Sequence, residues 1–304
     1  MEWITGIQNA INYIEDHLTE AIDYDTVARE SFSSSYHFQR VFSILSGYTL
    51  GEYIRNRRLS LAGAELATGK EKVIDIAAKY GYESPDSFAK AFQKFHGITP
   101  SQARGGGVKL KNFSRLSLKI SLEGGSAMNY RIEEKDEMIL TGYKEHFYGV
   151  PYGEVRTNQE ERMFVTTRAK QWLLRGAAVD YNTDYCVVTN LDDDGYDFYI
   201  GAKLGKYARE NLYNPGVTGV DFMEEMGFEN IVIPRQTYAV FETQRVMYPV
   251  EQYIDIRRKI VSEWIPGSGF QFAEGPELTI MHWNPKGDPK QRYIEVCIPI
   301  ERQK

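Results

Sequence analysis

The side chains best suited to hydrogen bonding with DNA bases fall into two sets of three, fifty residues apart. The first set is Tyr36, Gln39 and Arg40, and the second is Asp86, Ser87 and Lys90. In the major groove a glutamine can bond adenine, and an arginine can bond guanine, through two hydrogen bonds each. Lysine and serine can also bond phosphate oxygens. The two sets therefore predict a pair of surfaces that read DNA.

Both sets lie beside phenylalanines that recur at the spacing of a helix. Phe38 and Phe42 are four residues apart, as are Phe88 and Phe92, so each pair forms an apolar stripe on one side of a helix. The polar sets point away from these stripes. One charged residue in such a place is equally typical of a solvated helix surface. Repetition of the whole pattern favours a binding surface.

The repeat extends over two pairs of predicted helices without a gap. Shifted by fifty positions, Gly97 falls on Gly47 and Thr99 on Thr49. The first copy reads TVARESF and then SSSYHFQRVFSIL, and the second reads VIDIAAKYGY and then a helix capped by Ser84. The run LGEYIRNRRLSLAGAELATG between them predicts a connecting helix. Each copy is therefore a helix-turn-helix, whose second helix enters the major groove.

The bulk composition predicts an ordinary two-domain protein. A chain of 304 residues exceeds one comfortable core, and its 42% apolar and 26% charged residues are typical of a globular protein. The net charge is −6, but residues 31–104 hold ten Lys or Arg against six Asp or Glu. No apolar run reaches the ~18 residues of a membrane span. Two isolated cysteines and five scattered histidines indicate no metal site, and a reduced, cytoplasmic protein is expected.

The first third of the chain resembles a known family. The runs DIAAKYGYESPDSFAKAFQKFHGITPSQAR and YHFQRVFSILSGYTLGEYIRNRRL are similar to the DNA-binding domain of AraC/XylS-family transcription regulators. The resemblance implies an all-α domain over residues 1–104, double-stranded DNA as partner, RNA polymerase as a further partner, and the six polar residues as DNA contacts. Two positions depart from the family pattern: Ser31 stands where the first turn often has glycine, and the acid Asp86 would repel phosphates.

The rest of the chain predicts an α+β domain. Residues 105–127 are expected to be a linker, with a flexible hinge at Gly105–Gly107 and a leading strand in which Leu116 and Leu118 begin an apolar alternation. The hinge predicts that residues 1–104 fold and bind DNA alone. Residues 128–304 show the order strand, helix, hairpin twice, with helices over ERMFVTTRAKQWLLRGA and YPVEQYIDIRRKIVSEWI. Two such repeats predict pseudo-twofold symmetry and a cleft where they meet.

This module order, GG-x-x-MNYRIEEK and the ending YIEVCIPI resemble the GyrI-like effector-binding domain. The resemblance implies a small-molecule effector and a glutamate of the last strand at the floor of its pocket. Alternation along that strand places Tyr293 and Glu295 on one side and the aliphatic residues on the other, which must face the core. Tyr293 and Glu295 are then presented either to water or to the cleft.

Further aromatic residues could form the walls of this pocket: Trp172, Trp264, Trp283 and Tyr148. A carboxylate among aromatic rings would suit a cationic or aromatic ligand, although core packing is a more common use of each ring. Nothing in the sequence matches a catalytic or cofactor motif. The predicted function is a one-component bacterial transcription regulator, monomeric or dimeric, that senses a small molecule. Two alternatives stay open: hydrolysis with Glu295 as general base, and a C-terminal domain used only for protein contacts.

Overall fold

A computed structural model of the chain describes residues 2–69, 71–105, 107–118, 128–151, 153–212 and 214–303. The chain divides into two compact units. The first contains Met1–Phe42 and Tyr48–Leu122, and the second contains Ser43–Gly47 and Glu123–Lys304. No helix of the described ranges is long and apolar enough to cross a membrane.

The first unit is built of helices, as predicted. They are α1 (Glu2–Asp16), α2 (Tyr24–Glu30), α3 (Ser35–Ser46), α4 (Leu50–Thr68), α5 (Val73–Lys79), α6 (Pro85–His96) and α7 (Pro100–Ala103). The second helix-turn-helix has the predicted signals at both ends of α6. Ser84 Oγ accepts a hydrogen bond from Ser87 N at 3.1 Å, and Gly97 takes a left-handed φ of +81° that ends the helix.

The phenylalanine stripes anchor both second helices. Phe38 and Phe42 on α3 are 1% and 2% exposed, and Phe88 and Phe92 on α6 are fully buried. The α6 pair packs in a cluster with residues of α4 and α5, including Leu59. The connecting helix α4 therefore contributes to the core of the second copy. The predicted connecting helix is thus confirmed.

Residues 108–118, which we call the strap, form no helix or strand and bind to the first unit. Backbone groups of the strap bond side chains of α1, α4 and α6. Phe113 N donates to Ser60 Oγ at 3.0 Å, and Phe113 O accepts from Arg57 Nη1 at 2.5 Å. Leu116 N donates to Tyr53 Oη at 3.2 Å. Hydrogen bonds to these side chains satisfy backbone groups that a strand would have paired.

The strap corrects two predictions from the sequence. The described leucines of the predicted leading strand, Leu116 and Leu118, belong to the strap and to no strand; residues 119–127 lie outside the described residues. The hinge at Gly105–Gly107 is followed by a segment docked on the helices, and its Gly106 also lies outside the described residues. The first unit extends to Leu122, beyond residue 104. Alternating leucines alone do not show whether a segment pairs with a strand or packs as an extended chain against helices.

One strap contact depends on the protonation state of His96. His96 Nε2 lies 2.9 Å from Leu59 O, and its Nδ1 lies 3.2 Å from Lys111 N. A carbonyl only accepts and an amide N–H only donates, so both bonds need the neutral imidazole with its proton on Nε2. Burial lowers the pKa of His96, and Gly63 permits this packing because a Cβ there would lie 2.7 Å from the imidazole.

We expect the free energy of unfolding to fall as the pH drops below about 6.5, because the unfolded histidine binds a proton that the folded one resists. His96→Gln can donate and accept in the same places without titrating. Between pH 7.5 and 5 its free energy of unfolding, measured with urea, should therefore fall less than that of the unmodified protein, by about 1 kcal/mol. Burial also lowers the pKa of His37, to about 4, so a smaller slope remains in the variant. Identical slopes in both proteins would contradict the assignment.

The second unit is an antiparallel sheet with helices. Its strands are β1 (Tyr130–Lys135), β2 (Met138–Tyr148), β3 (Thr183–Thr189), β4 (Gly195–Ala202), β5 (Glu229–Ile233), β6 (Gln236–Glu242), β7 (Phe270–Phe272), β8 (Glu277–His282) and β9 (Tyr293–Arg302). Its α-helices are α8 (Gly153–Thr166), α9 (Arg168–Ala177), α10 (Pro215–Thr218), α11 (Phe222–Met226), α12 (Val250–Lys259) and α13 (Ile265–Ser268). Single π-helical turns cover Ala208–Leu212 and Ile260–Trp264, and short 3₁₀ turns cover Pro285–Gly287 and Pro289–Gln291.

The two strand–helix–hairpin repeats exchange their first strands. The order in the sheet is β1-β6-β9-β8-β3-β4-β2-β5, and β7 pairs with β9. The first strand of each repeat thus lies beside the other repeat, and the repeats meet where β8 pairs with β3. The sequence missed β7, α10 and α11. It also predicted one helix where α8 and α9 stand, and it placed the start at residue 161 rather than at Gly153, because the first turns of α8 are polar.

Candidate functional sites

The exposed face of α6 contains the second polar set as predicted. Asp86, Ser87 and Lys90 are all exposed. Ser87 Oγ donates to Ser84 O at 2.8 Å, so this hydroxyl also supports the start of the helix. Gln93 and Lys94, one turn beyond Lys90, are exposed too. The four-residue spacing of Lys90 and Lys94 already predicts that they share one side of the helix, whereas sequence reasoning missed Gln93, three residues after Lys90.

The first polar set on α3 differs from the prediction. Tyr36 and Gln39 are half-buried, and Gln39 Nε2 donates to Ser35 Oγ at 3.1 Å. Arg40, expected to point outward, is only 3% exposed, and its Nη1 donates to Tyr36 Oη at 2.8 Å. The guanidinium thus folds back along the helix to the residue one turn earlier. In this structure Arg40 supports Tyr36 and does not present its donors to solvent.

In the turn of the first helix-turn-helix, which has Ser31 in place of glycine, the left-handed backbone conformation occurs one residue later. In the second copy Gly81 takes the left-handed conformation, with φ of +81°, whereas Ser31 has φ of −98°. Phe32 takes the left-handed conformation instead, with φ of +56°, and is 82% exposed. This conformation costs a residue with a Cβ about 1–2 kcal/mol. The departure noted in the sequence therefore changes the local backbone of the turn and preserves the helix pair.

A groove of about 680 Å³ lies in the second unit between α8–α9 and α12. Its floor includes Met281 on β8 and Ile294 on β9, and its walls include Trp172 on α9 and Tyr253 on α12. Trp283, just after β8, also lines it. The groove receives residues from both repeats, which is the position that the symmetry predicts for the cleft. Two of the predicted aromatic residues, Trp172 and Trp283, are thus brought to one place.

Trp283 is held in a fixed orientation. Its Nε1 donates to Asp184 Oδ2 at 2.5 Å, and Arg175 donates to both oxygens of the same carboxylate, with 2.8 Å between Nε and Oδ1. The Arg175 guanidinium lies 5.6 Å from the centroid of the indole. Trp172, by contrast, is 66% exposed. The ring of Trp283 is therefore held by polar groups, whereas Trp172 presents a large apolar ring to solvent.

Glu295 and Tyr293 lie on the other face of the sheet. Side chains alternate along β9, so Ile294 faces the groove and its two neighbours face away. Glu295 is 8% exposed, and its neighbour Cys297 is fully buried in the cluster on that face. Both faces of this strand are thus covered, because the sheet has packing on each side. The prediction that Glu295 forms the floor of an aromatic cleft does not match this arrangement.

The Glu295 carboxylate already has a cationic partner. Arg131 Nη2 on β1 donates to Glu295 Oε1 at 2.6 Å, and His282 Nε2 lies 3.5 Å from Glu295 Oε2. Burial alone would raise the pKa of Glu295, but the contacts with His282 and Arg131 outweigh it and lower the pKa to about 2. A carboxylate with this pKa is a poor general base near neutral pH. The structure therefore supports neither a free carboxylate for a cationic ligand nor hydrolysis through Glu295.

The remaining predicted ligand residues lie apart from the groove. Trp264 is 8% exposed and packs edge-on against Phe241 and stacked on Phe270, at centroid distances of 5.1 and 6.0 Å. It is a core residue. Tyr148, at the end of β2, is 69% exposed and does not line the groove. Among the described residues, no group of three or more His, Cys, Asp or Glu could hold a metal ion.

Two parts of the chain match known protein families. Residues 27–106 match a family described as a helix-turn-helix domain, and residues 186–301 match one described as a GyrI-like small molecule binding domain. The first match contains α3 and α6, and the second contains Trp283 and Ile294 of the groove. Apart from Ser43–Gly47, the first match therefore lies within the helical first unit, and the second match lies within the second unit.

An activator of transcription and a regulatory protein each match about a third of the chain. The HTH-type transcriptional activator AarP of Providencia stuartii is 45% identical over 98 residues, which cover 32% of this chain and 73% of AarP. The regulatory protein SoxS of Escherichia coli K12 is 40% identical over 98 residues, which cover 32% of this chain and 92% of SoxS. The solved structure of SAV2435 bound to tetraphenylphosphonium is 14% identical, with a TM-score of 0.41, and covers 57% of this chain and 94% of that one.

Proposed function

Because the chain belongs to the AraC family of helix-turn-helix transcription regulators, we propose that α3 and α6 read two successive segments of the major groove of one DNA duplex. The second unit adds a GyrI-like small molecule binding domain on the same chain. The protein is then a one-component regulator, in which an effector bound to one unit changes the activity of the other. RNA polymerase is a partner in this proposal because the relative AarP is a transcriptional activator.

The observation that carries the DNA proposal is the equivalence of α3 and α6. Each is the second helix of a helix-turn-helix, and each is anchored by a buried pair of phenylalanines four residues apart. Polar residues lie beside both pairs, exposed on α6 and at best half-buried on α3. Recognition helices read bases with residues on such a face. We assign reading to Tyr36 and Gln39 on α3, and to Asp86, Ser87 and Lys90 on α6. Arg40 has the supporting position described above.

The DNA contacts are expected to separate into two kinds. Gln39→Ala should cost about 1–3 kcal/mol at one base pair and relax the preference there, because an amide that reads adenine makes two directed bonds. Lys90→Ala should weaken binding to all sequences alike and reduce the slope of log K against log salt by about 1, as expected for a phosphate contact. The measurement is fluorescence anisotropy on operators selected from a random library, at several salt concentrations.

A lysine of the second unit gives the matched control. Lys203 is exposed, and Lys203→Ala removes the same charge outside the proposed reading helices. Its salt slope should equal that of the unmodified protein.

A footprint on the selected operator should cover two major-groove segments about 34 Å apart. Protection of one segment only would contradict tandem reading.

The effector part of the proposal places the small molecule in the groove between α8–α9 and α12. The observation that supports it is the exposed Trp172, opposite a helix of the second repeat and beside a groove that also contains Trp283. When an aromatic ligand stacks on the Trp172 ring, both surfaces lose contact with water. This burial contributes about 25 cal/mol per Å² to the free energy of binding. Concave apolar sites with a few polar groups are the usual binding sites of small molecules.

A further inference from the structure

We propose that the effector is an aromatic molecule with an anionic group, bound with its rings against Trp172 and Trp283 and its anion near Arg168 and Arg292. This inference rests on the proposed function, since it names the chemical class that the same groove would take. It differs from the sequence-based expectation of a cationic ligand, which depended on Glu295.

The carboxylates beside the groove are mostly committed to the protein. Glu160 Oε1 accepts from Arg156 Nε at 2.5 Å. Asp184 accepts from Arg175 and from the indole N–H of Trp283. These negative charges are therefore compensated where they stand. Glu161, which is exposed, is the lining carboxylate that forms no ion pair with any described residue.

Two guanidinium groups of the lining lack such compensation. Arg292 is half-buried, with Nε donating to Trp283 O at 2.8 Å and Nη1 to Met247 O at 3.3 Å. These carbonyls hold the group in place but do not neutralise its charge. Arg168, the first residue of α9, is exposed and forms no ion pair within the described ranges. Two uncompensated positive charges against one negative charge favour an anion, which a guanidinium can bond through two donors.

The aromatic part of the ligand follows from the position of these charges. The Arg292 guanidinium lies 6.0 Å from the centroid of the Trp283 ring, and Arg168 is four residues before Trp172 on the same helix. Residues four apart are neighbours on a helix surface. Each indole therefore has a guanidinium beside it. A planar ring that stacks on either indole would bring a substituent on its edge within reach of a positive charge.

The test compares three probes that share one ring system and differ in charge: naphthoate, naphthylmethanol and naphthylmethylammonium. Calorimetric titration of the full chain should show naphthoate binding at least about tenfold more tightly than the ammonium probe. Arg168→Gln should weaken naphthoate about three- to tenfold and leave naphthylmethanol unchanged. Glu161→Gln should strengthen naphthoate, because it removes the opposing charge. Arg162→Gln is the matched control, since Arg162 is exposed on α8, pairs with Glu145 and does not line the groove.

The outcomes separate this inference from the proposed function. Trp172→Ala should weaken all three probes. If it weakens none, or if no probe binds, the groove is not the effector site and the proposed function of the second unit is wrong. If Trp172→Ala weakens the probes but the ammonium probe binds as tightly as naphthoate, the site stands and the anionic class is wrong. Loss of naphthoate binding in Arg162→Gln equal to that in Arg168→Gln would also overturn it.

Discussion

A chain that ends at Arg104 is expected to unfold at a much lower urea concentration than a chain that ends at Leu122. The shorter fragment lacks the strap, whose backbone bonds Tyr53, Arg57 and Ser60 of α4. It also lacks Phe113, whose ring packs edge-on against Tyr53 at a centroid distance of 5.9 Å. Loss of this ring and of several hydrogen bonds should lower the free energy of unfolding by about 3–6 kcal/mol.

The measurement is urea unfolding of both fragments, followed by circular dichroism. Phe113→Ala in the longer fragment should reproduce part of the loss, because it removes the ring and keeps the backbone hydrogen bonds. DNA binding by the shorter fragment should weaken by the fraction that is unfolded. Equal urea midpoints for the two fragments would show that the strap adds nothing, and that the helices up to residue 104 fold alone, as the sequence suggested.

Arg57→Ala is expected to lower the free energy of unfolding of the first unit by about 3–5 kcal/mol. Arg57 makes two bonds to Glu15, from Nε at 2.8 Å and Nη2 at 2.7 Å, and the two side chains are only 11% and 7% exposed. Burial alone would raise the pKa of Glu15, but hydrogen bonds from Arg57 and Tyr53 outweigh it and lower the pKa. Removal of the guanidinium leaves a buried carboxylate whose charge is no longer balanced.

The control is an ion pair of the same unit in a wetter place. Lys79 and Glu65 are 2.7 Å apart, with side chains 41% and 35% exposed. Lys79→Ala should cost at most about 1 kcal/mol, since water screens this pair. Arg57→Lys should fall between the two, because an ammonium keeps the charge and loses the two parallel bonds. Similar losses in Arg57→Ala and Lys79→Ala would mean that burial does not strengthen the Glu15 pair.

The helix-turn-helix pair could be predicted because its signals are local. Ser84 caps α6 at a distance of three residues, and Gly97 ends it through its own backbone conformation. Phenylalanines four residues apart mark the buried side of each helix. Such signals act within one or two turns, so the sequence itself contains both partners. The fifty-residue repeat then indicated that the same arrangement occurs twice.

The candidate effector site could be predicted only in part. Strand alternation divides the side chains into two sets, but it does not show which set faces the groove. The pattern of β9 correctly separated Glu295 from Ile294, but it could not show which side the groove occupies. Trp172 and Trp283 meet in the groove although 111 positions separate them. The order of strands in the sheet brings them together. Choosing the charged side placed Glu295 and Tyr293 in a cleft, whereas in the structure they lie on the face of the sheet opposite the groove.

The two helix-turn-helix units, the caps of α6 and the order of the two α+β repeats could be read from the sequence, since each depends on neighbours in the chain. The partners of the buried charged residues, in contrast, are set by tertiary contacts. Glu295 is balanced by Arg131, which lies 164 positions away, and Arg57 accounts for the charge of Glu15 across 42 positions. Whether a buried charge is stable depends on the distance in space to a group of opposite charge. The number of residues between the two groups does not give that distance, because the fold brings together segments that are far apart in the chain.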